Sequence, residues 1–373
     1  MHKLAATSTI LEHELSELRL LVERQTGVVL DCPNSALAAH VAEFVEAQDL
    51  GSSTLLLERL RSCEQDPSSL PSLLDGLLNT NTGFFRHPGA LNALTRQVLP
   101  QLCARKSADG PSPVRIWSAG CGTGEETYSI AMAVCDAMTP ANVGAAISGN
   151  GSGNGNSNGN GNGKAAGRSG GIADNLQSLA AQPAHLNSGC SIHIVGSDLL
   201  PCNIEVADRG VYLQSSLDGL PPATIRNYFS KIGSPVIVPT EVLGDTQDET
   251  RNETRNGTKN GSSNGSQSAS NGAHLLVKPR LRSLVTFNCM NLARPGYIGR
   301  FDCIFCMDVM PHFSRAQRIA LLERLHLYLE PGGYLFLSQT EKLVTSNLNF
   351  RSETFDGYTF HRKPLAASAA YGR

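Results

Sequence analysis

Three glycines, two glutamates and an aspartate carry the chemistry for which this chain is best equipped. Gly120, Gly122 and Gly124 follow directly on a short apolar run that begins at Val114, and Glu125 and Glu126 follow the glycines. This spacing predicts a buried strand, a tight turn and a helix whose apolar face runs through Ile130, Met132, Ala133 and Val134. Glycines let the backbone turn sharply and let a ligand lie against the main chain. The two acids suit a helix N-terminus, because they face the positive end of its dipole. They also make the turn a poor phosphate site, since they would repel a pyrophosphate, and the spacing does not match the dinucleotide fingerprint of a nicotinamide dehydrogenase. A ligand with cationic groups and a ribose, such as S-adenosylmethionine, is compatible with them. A tight turn that binds nothing is the competing reading of bare glycines.

Two further residues add to this reading. Asp198 ends a second predicted strand, residues 192–198, where an acid can accept both hydroxyls of a ribose. It could instead cap the short helix predicted from Pro201 to Arg209. Arg86 follows Phe84 and Phe85, and its planar guanidinium can grip a carboxylate through two parallel bonds. A plain surface arginine is the alternative. Phe84 and Phe85 read as packing residues.

The elements that must position these groups fall in two parts. Residues 1–95 are predicted as a small helical domain. Leu11, Leu15, Leu18, Leu21 and Val22 recur at helical spacing, as do Ala38, Val41, Ala42 and Val45, and then Leu55, Leu56 and Leu60. From residue 96 onward strands alternate with helices. Further strands are predicted over 284–287, 301–306, 334–338 and 358–362, with an amphipathic helix over 314–329. That alternation implies an α/β class, a mostly parallel doubly wound sheet. Two Gly/Asn/Ser/Thr-rich tracts, about residues 145–171 and 244–272, interrupt it. Neither can bury enough apolar surface to offset its ordering entropy, so both are expected to be disordered loop insertions.

Composition sets outer bounds. The 373 residues carry a formal charge of −2, which gives no electrostatic footprint for general nucleic-acid binding. No apolar run is long enough to span a bilayer, and the N-terminus lacks a secretion signal, so a cytoplasmic protein is expected. The ten cysteines are scattered without a paired framework, and reduced thiols are the simplest expectation. Cys303 and Cys306 form a CxxC within a predicted buried strand. Positions three apart point to opposite faces of a strand, so they are expected to be core residues rather than joint metal ligands, and no metal is expected.

Several words in order now resemble one family. They are Thr80-Asn-Thr-Gly-Phe-Phe-Arg86, Trp117-Ser-Ala-Gly-Cys121 with Gly124-Glu-Glu, and Gly196-Ser-Asp198. They continue through Val285-Thr-Phe-Asn-Cys-Met-Asn-Leu292, Phe301-Asp-Cys-Ile-Phe-Cys306 and Leu329-Glu-Pro-Gly-Gly333. In this order they resemble the chemotaxis receptor methyltransferases of the CheR type. The resemblance implies a class I S-adenosylmethionine-dependent methyltransferase domain, with a small β-subdomain within about residues 211–284. It also implies methyl transfer to glutamate side chains on the cytoplasmic domain of a chemoreceptor or related signalling protein. By the same resemblance Thr80, Thr82 and Arg86 border the cofactor, and Gly120, Gly122 and Glu126 cradle it. Asp198 is implied to bind its ribose, and Asn291 and Leu292 to lie beside its adenine. A monomer is expected. The acceptor glutamate is already ionised near neutral pH and the sulfonium methyl is already activated. The protein must therefore supply alignment and exclusion of water rather than a base.

The chain also departs from the family. After the Phe-Cys strand the family usually reads Cys-Arg-Asn-Val, two apolar residues and Tyr-Phe, a loop by the cofactor and the reacting carboxylate. Here Cys306 is followed by Met307, Asp308, Val309, Met310, Pro311, His312 and Phe313. Met307 cannot donate a side-chain hydrogen bond. Asp308 would repel an incoming carboxylate unless protonated or paired. His312 could replace the tyrosine as a donor, better when protonated, or be only a loop residue. The helical part, often basic in the family, is acid-rich here, with Glu12, Glu14, Glu17, Glu23, Glu43 and Glu46, which argues for a different docking mode.

Overall fold

The computed structural model describes residues 10–62, 73–75, 77–78, 82–109, 112–139, 190–232, 273–296, 299–343 and 348–365. Both polar tracts and Thr80 lie outside these residues.

The chain opens with three helices, α1 (Glu12–Thr26), α2 (Asn34–Ala47) and α3 (Ser53–Arg61). Leu15, Leu18 and Val22 of α1 pack with Leu37 and Val41 of α2 and with Leu56, Leu57 and Leu60 of α3. Leu11 and Leu55, expected on the apolar faces, are exposed. Leu11 lies at the cap position ahead of α1, and Leu55 faces away from the cluster that its neighbours Leu56 and Leu57 enter. The Glu14 carboxylate joins α1 to α3 by accepting from Ser53 Oγ (3.1 Å) and Thr54 Oγ1 (2.9 Å).

A helical run then leads into the sheet: α4 (Pro88–Ala93), a π turn (Leu94–Val98) and α5 (Leu99–Asp109). The expected boundary between residues 95 and 96 falls inside this run. Its side chains Ala90, Leu91, Leu94, Val98 and Leu99 are buried in the core of the sheet, not in that of the first three helices.

The main sheet has seven strands in the order β6-β2-β1-β7-β8-β10-β9. The first five are parallel: β1 (Val114–Ala119), β2 (Ile192–Asp198), β6 (Val285–Cys289), β7 (Phe301–Cys306) and β8 (Leu329–Leu337). The hairpin β9 (Arg351–Phe355) and β10 (Tyr358–Arg362) adds antiparallel to β8. This is the expected doubly wound α/β architecture, and β7 is buried along its whole length, as a strand covered on both faces must be. Pro331, Gly332 and Gly333 fall within β8, which is irregular here. Phe301 pairs with Leu329, but Cys303 already pairs with Tyr334.

Helices cover both faces: α6 (Glu125–Met138) and α7 (Pro201–Arg209) precede α8 (Pro222–Tyr228), α9 (Pro279–Arg282) and α10 (Arg315–Tyr328). Ile116 and Cys303 pack on the α6 side, whereas Trp117, Ile304 and Cys306 pack on the α10 side. Cys303 and Cys306 therefore point to opposite faces as core residues. Between β2 and β6 the chain forms a second, three-stranded antiparallel sheet, β3 (Val211–Leu213), β5 (His274–Val277) and β4 (Phe229–Ile232) in that order. Phe84 anchors it to the main body, with its ring edge-on to Tyr212 at 5.0 Å and to Phe229 at 5.6 Å.

The expectation of reduced thiols throughout is corrected at one pair. Cys103 of α5 and Cys190, just ahead of β2, form a disulfide. Packing of α5 beside the start of β2 brings their Cα atoms to 5.6 Å, a proximity hidden by a sequence separation of 87. Among the described residues, Cys32, Cys121, Cys135, Cys202, Cys289, Cys303 and Cys306 are free.

Candidate cofactor and acceptor site

The sheet order reverses direction between β1 and β7, and in open α/β sheets the crevice at the strand C-termini there is where ligands bind. A cavity of about 360 Å³ lies at that place. It is lined by Thr82, Arg86, Gly120, Gly122, Glu126, Asp198, Asn291, Leu292, Met307, Asp308 and His312. All the site residues expected from sequence, apart from Thr80, are thus brought to one cavity from five separate stretches of chain.

The floor is the glycine turn. Gly120 has φ +80°, and a Cβ there would stand 2.5 Å from Val309 Cγ2, so neither the conformation nor the space admits a side chain. The backbone N–H groups of Gly120 and Cys121 both donate to the Ser197 carbonyl, at 2.8 and 2.9 Å, pinning the turn to the end of β2. Trp117 Nε1 donates to Ser197 Oγ (2.9 Å) from the opposite face.

Asp198 organises the junction. Its Oδ2 accepts from Gly122 N (3.0 Å), and its Oδ1 accepts from Leu200 N (3.0 Å) and Asn203 Nδ2 (3.0 Å). The two readings of this acid are therefore not exclusive: it faces the cavity and also ties the start of α7 to the glycine turn. A carboxylate has about four acceptor positions, so three bonds leave capacity for a hydroxyl.

The two glutamates divide. Glu125 is buried and accepts from Thr123 Oγ1 (2.7 Å), away from the cavity lining. Glu126 enters the cavity, where Ser118 Oγ donates to its Oε1 at 2.7 Å. Burial lifts the Glu126 carboxyl to about 7; the Ser118 bond opposes the rise and the nearby Asp308 and Glu341 add to it. An uncompensated carboxylate of this kind suits a cationic ligand.

The remaining wall comes from the loop after β7. Asp308 has φ +57°, and its Oδ2 lies 3.3 Å from Arg86 Nε and 3.1 Å from His87 Nε2. Asp308 is thus paired with both side chains. Met307 is buried, and Tyr358 Oη lies 3.9 Å from its sulfur while donating to the Leu337 carbonyl at 2.6 Å. Burial lowers the pKa of His312, with Asp198 and Asp308 pulling the other way, so the neutral imidazole is favoured and donates through one N–H only. Phe85, expected only to pack, is buried but also lines the cavity, with φ +53° and its N–H on Ser129 Oγ (2.9 Å).

Three contributors were not expected from sequence. His87 adds a second donor to Asp308. Glu341 accepts from the backbone N–H of Met310 (2.8 Å), Ser338 (2.9 Å) and Asp308 (3.2 Å), so it holds the loop against the end of β8. Thr26 and Val28 bring the first helical layer into the cavity wall. That layer is joined to the rim by a bridge between Val28 and Phe313, by Val29 N donating to the His312 carbonyl (2.8 Å), and by Asn291 Nδ2 donating to the Gln25 carbonyl (3.1 Å). Gly27 permits this approach: at φ +77°, a Cβ there would meet Ala293 Cβ at 2.4 Å.

A glycine floor, an acid at the end of β2, a buried acid at the start of α6 and this strand order define a class I methyltransferase whose cofactor is S-adenosylmethionine. The family model described as CheR methyltransferase, SAM binding domain, matches residues 80–152 and 259–358, and the chain belongs to that family. It is similar to chemotaxis protein methyltransferase 1 of Pseudomonas aeruginosa, 25% identical over 328 residues that cover 87% of this chain and 88% of that protein. It is similar as well to the chemotaxis protein methyltransferase of Vibrio parahaemolyticus, at 23% over 339 residues, 90% of this chain and 91% of that one. The protein Cher2 of Pseudomonas putida, also a chemotaxis protein methyltransferase, is 23% identical over 334 residues, 88% of this chain and 90% of its own. Among the described residues no helix is long and apolar enough to cross a membrane.

Proposed function

We propose that this protein methylates glutamate side chains on the cytoplasmic domain of a chemoreceptor-like signalling protein, acting in the cytoplasm. The observation that carries the reading is that Arg86, a carboxylate-gripping group, lines the same cavity as Glu126 and Asp198. The names of the relatives support the chemotaxis setting.

When bound, S-adenosylmethionine supplies an electrophilic methyl on a cationic sulfur. Asp198 is assigned to a ribose hydroxyl, Glu126 to a cationic part of the cofactor, and Asn291 and Leu292 to the adenine. Arg86 and His87 orient the acceptor carboxylate. The bound cofactor would supply its methyl to a carboxylate oxygen of the acceptor, with the electron pair of the broken carbon–sulfur bond kept on sulfur. No proton moves, so no base is needed. The apolar wall of Phe85, Met307 and Phe313 keeps water, the competing nucleophile, away.

The test is incubation of the protein with labelled methyl donor and a receptor cytoplasmic fragment. Base-labile label on the fragment, lost with Arg86→Ala, is expected. Cofactor binding by calorimetry without any label would refute the assignment and favour a cofactor-binding signalling protein, a reading for which the Arg86–Asp308 pair speaks.

A further inference from the structure

The acceptor end of the cavity already holds a carboxylate that belongs to the protein. Asp308 Oδ2 engages Arg86 Nε at 3.3 Å and His87 Nε2 at 3.1 Å, the two side chains assigned above to the acceptor. We propose that Asp308 occupies the acceptor's place on Arg86 and His87, so that an incoming glutamate must displace it before methyl transfer. The inference rests on the reading that the acceptor is a carboxylate.

Three observations carry it. First, Asp308 is held where it stands. Its backbone is in the left-handed region at φ +57°, which Asp and Asn tolerate better than most residues, and Glu341 fixes the N–H groups of both Asp308 and Met310. Second, the cavity already gathers carboxylates of the protein, with Asp198, Glu126 and Asp308 all in its lining. Asp308 and Glu341 both act on Glu126 in the sense of like charge, with Arg86 opposing them. A further carboxylate added without displacing Asp308 would place one more negative charge in this group. Third, the pair is open to exchange. The side chains of Arg86 and Asp308 are 48% and 36% exposed, and ion pairs this accessible to water are weak.

Asp308 is therefore a positioning residue that acts through Arg86 and His87. It sets the concentration of acceptor needed to fill the site and leaves the aligned transfer step alone. Acceptors held nearby by a separate contact, and so present at high local concentration, would overcome it most readily.

The test uses the full chain saturated with S-adenosylhomocysteine and titrated with a blocked glutamate, N-acetylglutamate N-methylamide, with the His87 ring signals followed by NMR. Asp308→Asn keeps a residue suited to the left-handed backbone, and Asp308→Gly is the second variant should the first fold poorly. Both are expected to bind the probe about tenfold more tightly than the unaltered protein, a modest change on the affinity scale. In initial-rate measurements at saturating S-adenosylmethionine the acceptor KM should fall by a similar factor, with kcat within about twofold. Equal probe affinity in all three proteins overturns the inference. Label reaching glutamate with no change in probe affinity sinks the inference and spares the reaction. Tighter probe binding by the variants with no label on any carboxylate sinks the reaction, while Asp308 remains the occupant of a carboxylate site.

Discussion

If Glu126 faces a cationic part of the cofactor, cofactor binding must release protons. Burial sets its carboxyl at about 7 in the cofactor-free protein, against an ordinary value of 4.5. A cation beside it draws the value back down. With about 7 free and about 4.5 bound, linkage makes the affinity about fivefold weaker at pH 6 than at pH 7, with about half a proton released per cofactor bound at pH 7. The α-amino group of the cofactor, with a pKa near ~8, stays mostly protonated across this window and contributes little to the slope. The sign for stability is opposite. Without cofactor the folded protein holds a proton on Glu126 that the unfolded chain gives up, so this residue's contribution to stability falls as pH rises from 4.5 toward 7. The assay is calorimetric titration at pH 6, 6.5 and 7 in buffers of different ionisation enthalpy, with Glu126→Gln as the control. A flat pH profile for the unaltered protein, or an undiminished slope in Glu126→Gln, refutes the assignment.

Asp198→Ala should abolish measurable cofactor binding and lower stability by about 2–3 kcal/mol in chemical denaturation, because Gly122 N, Leu200 N and Asn203 Nδ2 all lose their acceptor. Gly120→Ala should destabilise by about 1–3 kcal/mol in the same measurement, from the steric conflict with Val309. Glu341→Ala should speed hydrogen exchange at the Asp308 and Met310 amides by tenfold or more (about 1.4 kcal/mol of lost protection), while the Gly120 and Cys121 amides, held by Ser197, keep theirs.

The β1–turn–α6 unit was legible because all its signals are local: an apolar run, three glycines and an amphipathic period. Asp198 was legible for the same reason, since it ends a strand of clear pattern. The edge strand β9 escaped because Arg-Ser-Glu-Thr-Phe pairs only with β10 and has few apolar residues to mark it. The helical run from Pro88 to Asp109 was legible only up to residue 95, where the helical part was expected to end; its proline is well placed in a first helical turn. Glu341 and His87 could not be read at all. Each matters through partners that are distant in sequence, Met310 for one and Asp308 for the other, and no spacing rule reports such a meeting. Asp308 was legible as an anomaly, but its pairing with Arg86 and His87 was not.

The stitching of Gln25, Val28 and Val29 to Asn291, Phe313 and His312 has a thermodynamic consequence. Thr26 and Val28 form part of the wall of the cavity assigned to the cofactor, so any state in which α1 leaves the rim is a state with an incomplete cavity. Cofactor binding therefore disfavours detachment of the first helices by the same free energy that detachment would cost in affinity. The coupling also runs in reverse. A partner that grips α1 and shifts it would alter how long the cofactor stays, by pulling on the backbone of His312 and without touching the bound molecule.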